Sequence, residues 1–237
     1  MTGPSTRQLF DAYALPERMT PRLRVNFVAS LDGAATRDGR SGGLGTPADR
    51  AAMTVLRAIA DVIVVGAGTV RAEGYGGLRL PEEAIAWREE NGLGEQPPLA
   101  VVSSSLDLPP EHPFFAEAVV RPLVLTHEAA PAERRRELAE VADVIDCGVS
   151  SVEPARLVQA LAERGMPQIL CEGGPRLFGE LIAADVVDEL CLSLSPLLVG
   201  GDAGRIAHGL IEAPRRMRLL DAYPANDLLL LHYARAR

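Results

Sequence analysis

The sequence predicts an α/β fold: a mainly parallel central sheet with flanking helices, finished by antiparallel strands at the C-terminus. Short, nearly continuous apolar runs alternate with amphipathic stretches through residue 185, which is how strand–helix–strand units read. From residue 187 onward, strand-like runs follow one another with no helix between them, which suits antiparallel pairing. No internal repeat, low-complexity tract or convincing linker interrupts the chain, so residues 21–237 are expected to form one domain. Residues 1–20 are polar, carry Pro4 and Pro16, and read as an N-terminal arm that is loose or packs late.

The elements follow in order. "RLRVNFVAS" (22–30) has the look of a strand buried on both faces, and "LDGAATRDGRSGGLGT" (31–46) is a Gly-rich loop. A helix is expected over 47–60, with Thr46 as N-cap and Pro47 in the first helical position. "DVIVVG" (61–66) is a second buried strand, leading into "AGTV" and a polar, Gly-rich segment through Arg79. A short exposed helix is read over 81–92. Strands at 98–105, 122–126 and 141–146 alternate with helices at 130–140 and 152–165. "QILCEGG" (168–174) is a strand entering a turn, and 175–185 is a helix that starts on proline. Strands over 187–201, 216–223 and 227–235 complete the chain.

Composition excludes several functions. A net charge of −8 argues against nucleic acid, whose phosphates require a basic face. It does not exclude a small anion, which responds to local donors and arginines. Cys147, Cys171 and Cys191 are an odd number without C-x-x-C spacing, so neither a disulfide framework nor a zinc knuckle is expected. The four histidines match no metal-ligand spacing, and no metal is expected. No signal-peptide pattern and no apolar run near ~20 residues is present. A cytoplasmic protein without membrane or nucleic-acid partners is the expectation.

Ligands of open α/β sheets bind beyond the carboxyl ends of the strands, where loops enter helices. Glycines occupy three such places: "VVGAGTV" (64–70), "CEGGPRL" (171–177) and "RSGGLGT" (40–46). Glycine lets a phosphate approach the backbone, and a helix start offers free N–H donors. Neither the dinucleotide fingerprint G-x-G-x-x-G nor the Walker motif is present, because Arg71 stands where the third glycine would fall. Glu172, at the end of a buried strand and ahead of Gly173 and Gly174, either receives local N–H groups or projects into a cleft. Asp32 lies in a D-G pair and either holds that turn or does chemistry. Arg57, Arg71 and Arg79 are arginines that a solvated surface would also explain. No Ser-His-Asp or Cys-His pattern is found.

Taken together, "NFVASLDGAA", "GRSGGLGTPADR", "LRAIADVIVVGAGTVRAEGYGG" and "ILCEGGPRLFGELIAADVVDELCLSLSPLLVGG" resemble the reductase domain of riboflavin biosynthesis. That family has a dihydrofolate-reductase-like fold, and the four blocks are collinear over about residues 22–235. The H-x-E and P-C-x-x-C signatures of the zinc deaminase that precedes this domain in bifunctional relatives are absent, so the resemblance is to a stand-alone pyrimidine reductase.

The resemblance implies NADPH as hydride donor and a phosphoribosylamino-pyrimidinone as substrate, reduced at ribosyl C1 to the ribityl chain. It places Gly66, Gly68, Thr69, Val70, Gly173, Gly174 and Leu177 along the dinucleotide, Leu44 and Thr46 near the nicotinamide, and Ser103 and Ser105 at the 2′-phosphate. Asn26, Ser41, Arg57 and Glu172 fall on substrate positions, Arg57 suiting the ribose phosphate and Glu172 the ribose hydroxyls. Glu172 and Asp32 are the candidate catalytic acids. Many bifunctional relatives carry lysine where Asn26 stands and a D-D-P segment where this chain has "AEGYGGLRL"; Arg79 is the residue expected to compensate.

Two other readings stay open: reduction of a pterin or folate, and a nucleotide-binding module without turnover. The apolar C-terminal strands are expected to serve as core and as a homodimer interface, since an apolar edge strand needs a cover.

Overall fold

The apolar runs become strands close to where their composition puts them. In the computed structural model, residues 3–14, 17–209 and 211–236 are described. The first strands are β1 (Arg22–Ser30), β2 (Val62–Gly66), β3 (Leu99–Val102), β4 (Leu123–Thr126) and β5 (Asp143–Asp146). They are followed by β6 (Gln168–Cys171), β7 (Glu189–Ser195), β8 (Met217–Ala225) and β9 (Leu228–Arg235). Among the described residues these nine form one sheet in the order β5-β4-β3-β2-β6-β1-β7-β9-β8. Every pairing from β5 to β7 is parallel, while β9 runs antiparallel to both β7 and β8. The predicted class, parallel first and antiparallel last, is what the sheet displays.

The strand order creates a crevice. From β1 the chain steps to β2 and walks outward to β5, then returns to insert β6 between β2 and β1, and places β7 on the far side of β1. Loops leaving β1, β2 and β6 therefore meet at one carboxyl edge, the position at which such sheets bind ligands. Alternation of side chains builds the core on both faces: Ile63 and Val65 join one apolar cluster, Val62 and Val64 the other.

The helices are α1 (Thr6–Tyr13), α2 (Pro47–Ile59), α3 (Ala67–Glu73), α4 (Glu82–Glu90), α5 (Pro113–Ala116), α6 (Ala132–Ala139), α7 (Pro154–Ala162) and α8 (Pro175–Ala183). The Thr46 side chain accepts the Asp49 N–H at the start of α2, as its sequence position predicts. Three readings need correction.

The expected loose arm contains α1. Ser5 and Gln8 form a capping box, and Leu9, Phe10 and Tyr13 are buried, with Phe10 stacked on Trp87 at 4.7 Å. Met1, Thr2, Leu15 and Pro16 of that arm lie outside the described residues. The segment after Gly66, read as polar and Gly-rich, begins with α3, which ends at Gly74 in the left-handed conformation. Helix α4 is less exposed than its composition suggests. Buried Arg88 donates to the Ala58 and Ala60 carbonyls at 2.9 and 2.6 Å, closing the C-terminal end of α2.

Candidate active site at the carboxyl edge of the sheet

Two contiguous clefts open at this edge. The larger, about 990 Å³, runs from the glycine turns after β2 and β6 to Ser103–Ser105 beyond β3 and to Ser151–Pro154 beyond β5. The smaller, about 270 Å³, lies over β1 and β6 and is lined by Asn26, Ser41, Tyr75 and Glu172. Thr69 and Gly174 line both, so they stand at the junction.

The glycines at the junction are required by close approach. The Gly66 N–H donates to the Gly173 carbonyl at 2.9 Å, so the two turns hold each other. Gly173 adopts φ of 120°, a conformation that L side chains rarely adopt. A Cβ on Gly174 would stand 2.7 Å from Thr69 Oγ1. Gly174 also starts α8 without any side-chain cap, leaving the first N–H groups of that helix to other acceptors.

Glu172 continues the sheet beyond β6, its N–H donating to the Val64 carbonyl at 3.0 Å, and its side chain is only 3% exposed. The carboxylate is held by three donors. Arg57 gives Nε to Oε1 at 2.6 Å and Nη2 to Oε2 at 2.7 Å, and the Tyr75 hydroxyl gives a bond to Oε2 at 2.8 Å. This is the planar, bidentate fork that arginine offers a carboxylate. Burial pulls the Arg57 pKa down, but the facing Glu172 charge outweighs it and holds the guanidinium above its ordinary value. Burial and the same charge raise the Tyr75 phenol. Asp49, at the rim of the smaller cleft, has its carboxyl raised by burial.

The expected residues separate into those the fold brings together and those it does not. Asn26, Ser41, Glu172 and Gly173 line the smaller cleft. Gly66, Gly68, Thr69, Ser103, Ser105, Gly174 and Leu177 line the larger. Ser103 is buried, and its hydroxyl accepts the Leu106 N–H at 3.0 Å, so Ser104 and Ser105 are the exposed hydroxyls of that loop.

Leu44 and Val70 are core residues, 1% and 0% exposed, rather than wall residues; their neighbours Gly45 and Thr69 face the clefts. Thr46 spends its hydroxyl on capping α2. Arg57 stands behind Glu172 and is engaged by it, which removes its strongest donors from a phosphate. Arg79 is exposed and lines neither cleft.

Asp32 also lies outside both clefts, on an exposed turn. It accepts from the Ser30 hydroxyl and from the Val199 and Gly200 N–H groups, the last at 2.7 Å, which lower its pKa to about 2. Of its two sequence readings, turn bracing is the one that matches these contacts.

Sequence reasoning missed Tyr75, Asp49 and Arg50. Tyr75 carried a signal: it is the one aromatic ring in "AEGYGGL", a segment otherwise too flexible to pack one without a partner. Asp49 and Arg50 resemble ordinary first-turn helix residues and carried none.

A mainly parallel sheet with a glycine-lined cleft at the crossover of its chain order, and a buried carboxylate at the cleft junction, defines an α/β protein with a small-ligand site. Residues 21–228 match the RibD C-terminal domain, and the chain belongs to that family. It is 34% identical over 186 residues to the 2,5-diamino-6-ribosylamino-4(3H)-pyrimidinone 5′-phosphate reductase of Archaeoglobus fulgidus, covering 77% of this chain and 84% of the relative. The riboflavin biosynthesis protein RibD of Mycobacterium tuberculosis is 30% identical over 183 residues, which span 44% of that longer protein and 76% of this chain. A solved pyrimidine reductase-like protein of Corynebacterium diphtheriae superimposes with a TM-score of 0.86 at 29% identity, covering 99% of this chain and all (100%) of the other.

Proposed function

We propose that this protein is an NADPH-dependent reductase of a phosphoribosylamino-pyrimidinone, converting the ribosyl group to a ribityl chain in riboflavin biosynthesis. The observation that carries the reading is the single turn in which Glu172 and Gly173 line the smaller cleft while Gly174 forms the wall shared with the larger one. Family membership and the name of the archaeal relative point the same way.

The larger cleft suits a dinucleotide. Gly174 and Gly68 admit a pyrophosphate close to the backbone, the uncapped start of α8 offers N–H donors, and Ser104 with Ser105 offer hydroxyls at the far end for a 2′-phosphate. Bound NADPH would supply a hydride to ribosyl C1 after the cyclic glycosylamine opens to its imine. The protein's part is orientation. Asn26 and Ser41 contact the substrate, and Glu172, anionic and fixed, accepts hydrogen bonds from ribose hydroxyls beside the reacting carbon. The ribose phosphate falls to Arg50, the one arginine lining the smaller cleft among the described residues.

We also read the chain as a homodimer: β8 is an edge strand exposing Leu219 and Leu220, at 48% and 37%. The three buried, unbonded cysteines suit a reducing cytoplasm, and among the described residues no helix is long and apolar enough to cross a membrane.

The test is NADPH oxidation followed by absorbance, with the phosphoribosylamino-pyrimidinone and dihydrofolate offered separately. Turnover of the pyrimidine alone is expected. Turnover of dihydrofolate alone would move the protein to the folate reading, and NADPH binding without turnover of either would leave the cofactor cleft and remove the substrate.

A further inference from the structure

In the segment "AEGYGGLRL" the residue expected to serve the substrate, Arg79, is exposed and lines neither cleft. Tyr75, in the same segment, lines the smaller cleft. We propose that Tyr75 is a positioning residue: its hydroxyl, with the Arg57 fork, locks Glu172 as a fixed acceptor facing the substrate cleft. The inference rests on the reading of Glu172 as the acceptor of substrate hydroxyls, and adds a residue that neither the family resemblance nor sequence patterning assigns.

Three features place the phenol. Gly74 closes α3 in the left-handed conformation, with φ of 70°, and the Gly74 and Tyr75 N–H groups both donate to the Val70 carbonyl at 3.1 Å. This turns the chain back over the end of α3. Gly77 is pressed against the backbone after α5, where an added Cβ would lie 1.9 Å from the Glu117 carbonyl oxygen. The segment is thereby fixed on both sides of Tyr75, and the hydroxyl meets Glu172 Oε2 at 2.8 Å.

The chemistry follows from the count of acceptor sites. A carboxylate has about four lone-pair directions, and Arg57 and Tyr75 occupy three of them. The remaining one is available to a ligand hydroxyl. With the phenol raised by burial and by the Glu172 charge, Tyr75 keeps its proton and donates it to Glu172. The other ionisable groups near Glu172 are the Cys171 thiol on β6, pushed by burial up to about 12 and therefore neutral, and Glu73, Asp49 and Arg50, which line the same cleft. Without the phenol, Arg57 would be the one side-chain donor left on the carboxylate among the described residues.

The decisive experiment is Tyr75→Phe, which keeps the ring and removes the hydroxyl, alone and combined with Glu172→Gln. A lost hydrogen bond to a charged group is expected to lower kcat/KM for the pyrimidine about ten-fold or more, with the NADPH KM within two-fold of wild type. In the Glu172→Gln background the same change is expected to have little further effect.

A kcat/KM for Tyr75→Phe within two-fold of wild type, or a full-sized effect retained in the Glu172→Gln background, overturns the proposal. Were the wild-type protein to turn over no pyrimidine, the functional reading would fail on its own. Carbon-13 NMR of the tyrosine rings without ligand then decides the inference: a Tyr75 phenol titrating near the ordinary value of about 10 overturns it. A phenol that stays protonated above that pH in wild type, and titrates lower in Glu172→Gln, supports it.

Discussion

Two buried glutamates, one at each end of the parallel strands, are built from the same parts and end in different places. Glu172 follows β6 at the carboxyl edge, held by Arg57 and Tyr75. Glu189 opens β7 at the amino edge, held by Arg24 Nε at 2.6 Å, Arg22 Nη1 at 2.7 Å and His232 Nε2 at 3.0 Å. Their side chains are 3% and 2% exposed, so burial and charge pairing do not separate them. Access does. Glu172 lines a cleft because two glycines behind it leave no side chains in the way. Glu189 is closed in by Tyr13 of α1, whose carbonyl accepts from Arg24 and whose ring meets His232 edge-on. A buried, arginine-paired carboxylate is a candidate site only where the backbone around it is bare.

Exchanging each acid for its amide sharpens the contrast most. Glu172→Gln is expected to lower kcat/KM for the pyrimidine about a hundred-fold or more. In Glu189→Gln, Arg24 stays buried without its counter-charge, at a cost of about 3 kcal/mol. For a chain of this length that is a fall in Tm of roughly 6–12 °C, readable by calorimetry, with kcat/KM near wild type. Acid separates the two further. Burial pushes the Glu189 carboxyl up, but His232, Arg24 and Arg22 outweigh it and hold it at about 2, below the ordinary 4.5. A carboxylate depressed on folding stabilises the protein above its unfolded pKa and loses that contribution as pH falls through its folded one. Wild type should therefore lose stability between about pH 4.5 and 2 more steeply than Glu189→Gln does. Equal slopes would remove Glu189 as the source.

The junction between the clefts should respond more weakly. Gly174→Ala places a Cβ 2.7 Å from Thr69 Oγ1, so the Thr69 side chain or one of the two turns must shift. The NADPH KM is expected to rise about ten-fold, with a smaller change for the pyrimidine, because Gly174 starts the helix that faces the larger cleft. A larger effect on the pyrimidine than on NADPH would reverse the assignment of the two clefts.

The difference between the two glutamates also marks what sequence could reveal. The strands were legible because buried parallel strands are near-continuous apolar runs, and β1 matches its expected range of 22–30 at both ends. Glu172 was legible for a local reason, a charge followed by two glycines at a strand end. Glu189 was not, because "VVDELCL" differs from a surface strand start only in what packs over it, and its partners come from β1 and β9. Arg57 shows the same limit: position on a helix was readable, but not that a carboxylate 115 residues away would take up its fork. Helix α1 escaped notice because its buried face is three residues in a polar, proline-flanked stretch. Motifs report local backbone needs; pairing across the sheet has no local signature.

Asp32 provides the smallest effect and the cleanest control. It shares with Glu172 an acidic residue beside a glycine just beyond a strand, and differs in facing solvent. Its carboxylate ties the turn after β1 to the Val199 and Gly200 N–H groups, and it lines neither of the two clefts. Asp32→Asn keeps an acceptor oxygen for those donors, so kcat/KM for the pyrimidine should stay within about two-fold of wild type, as for a surface substitution away from the chemistry. What should change is the loop itself, with faster amide exchange at Val199 and Gly200 once the charge that strengthened those bonds is gone. Loss of turnover as deep as that of Glu172→Gln would place Asp32 among the reacting groups and break the distinction between a carboxylate that holds a turn and one that faces a substrate.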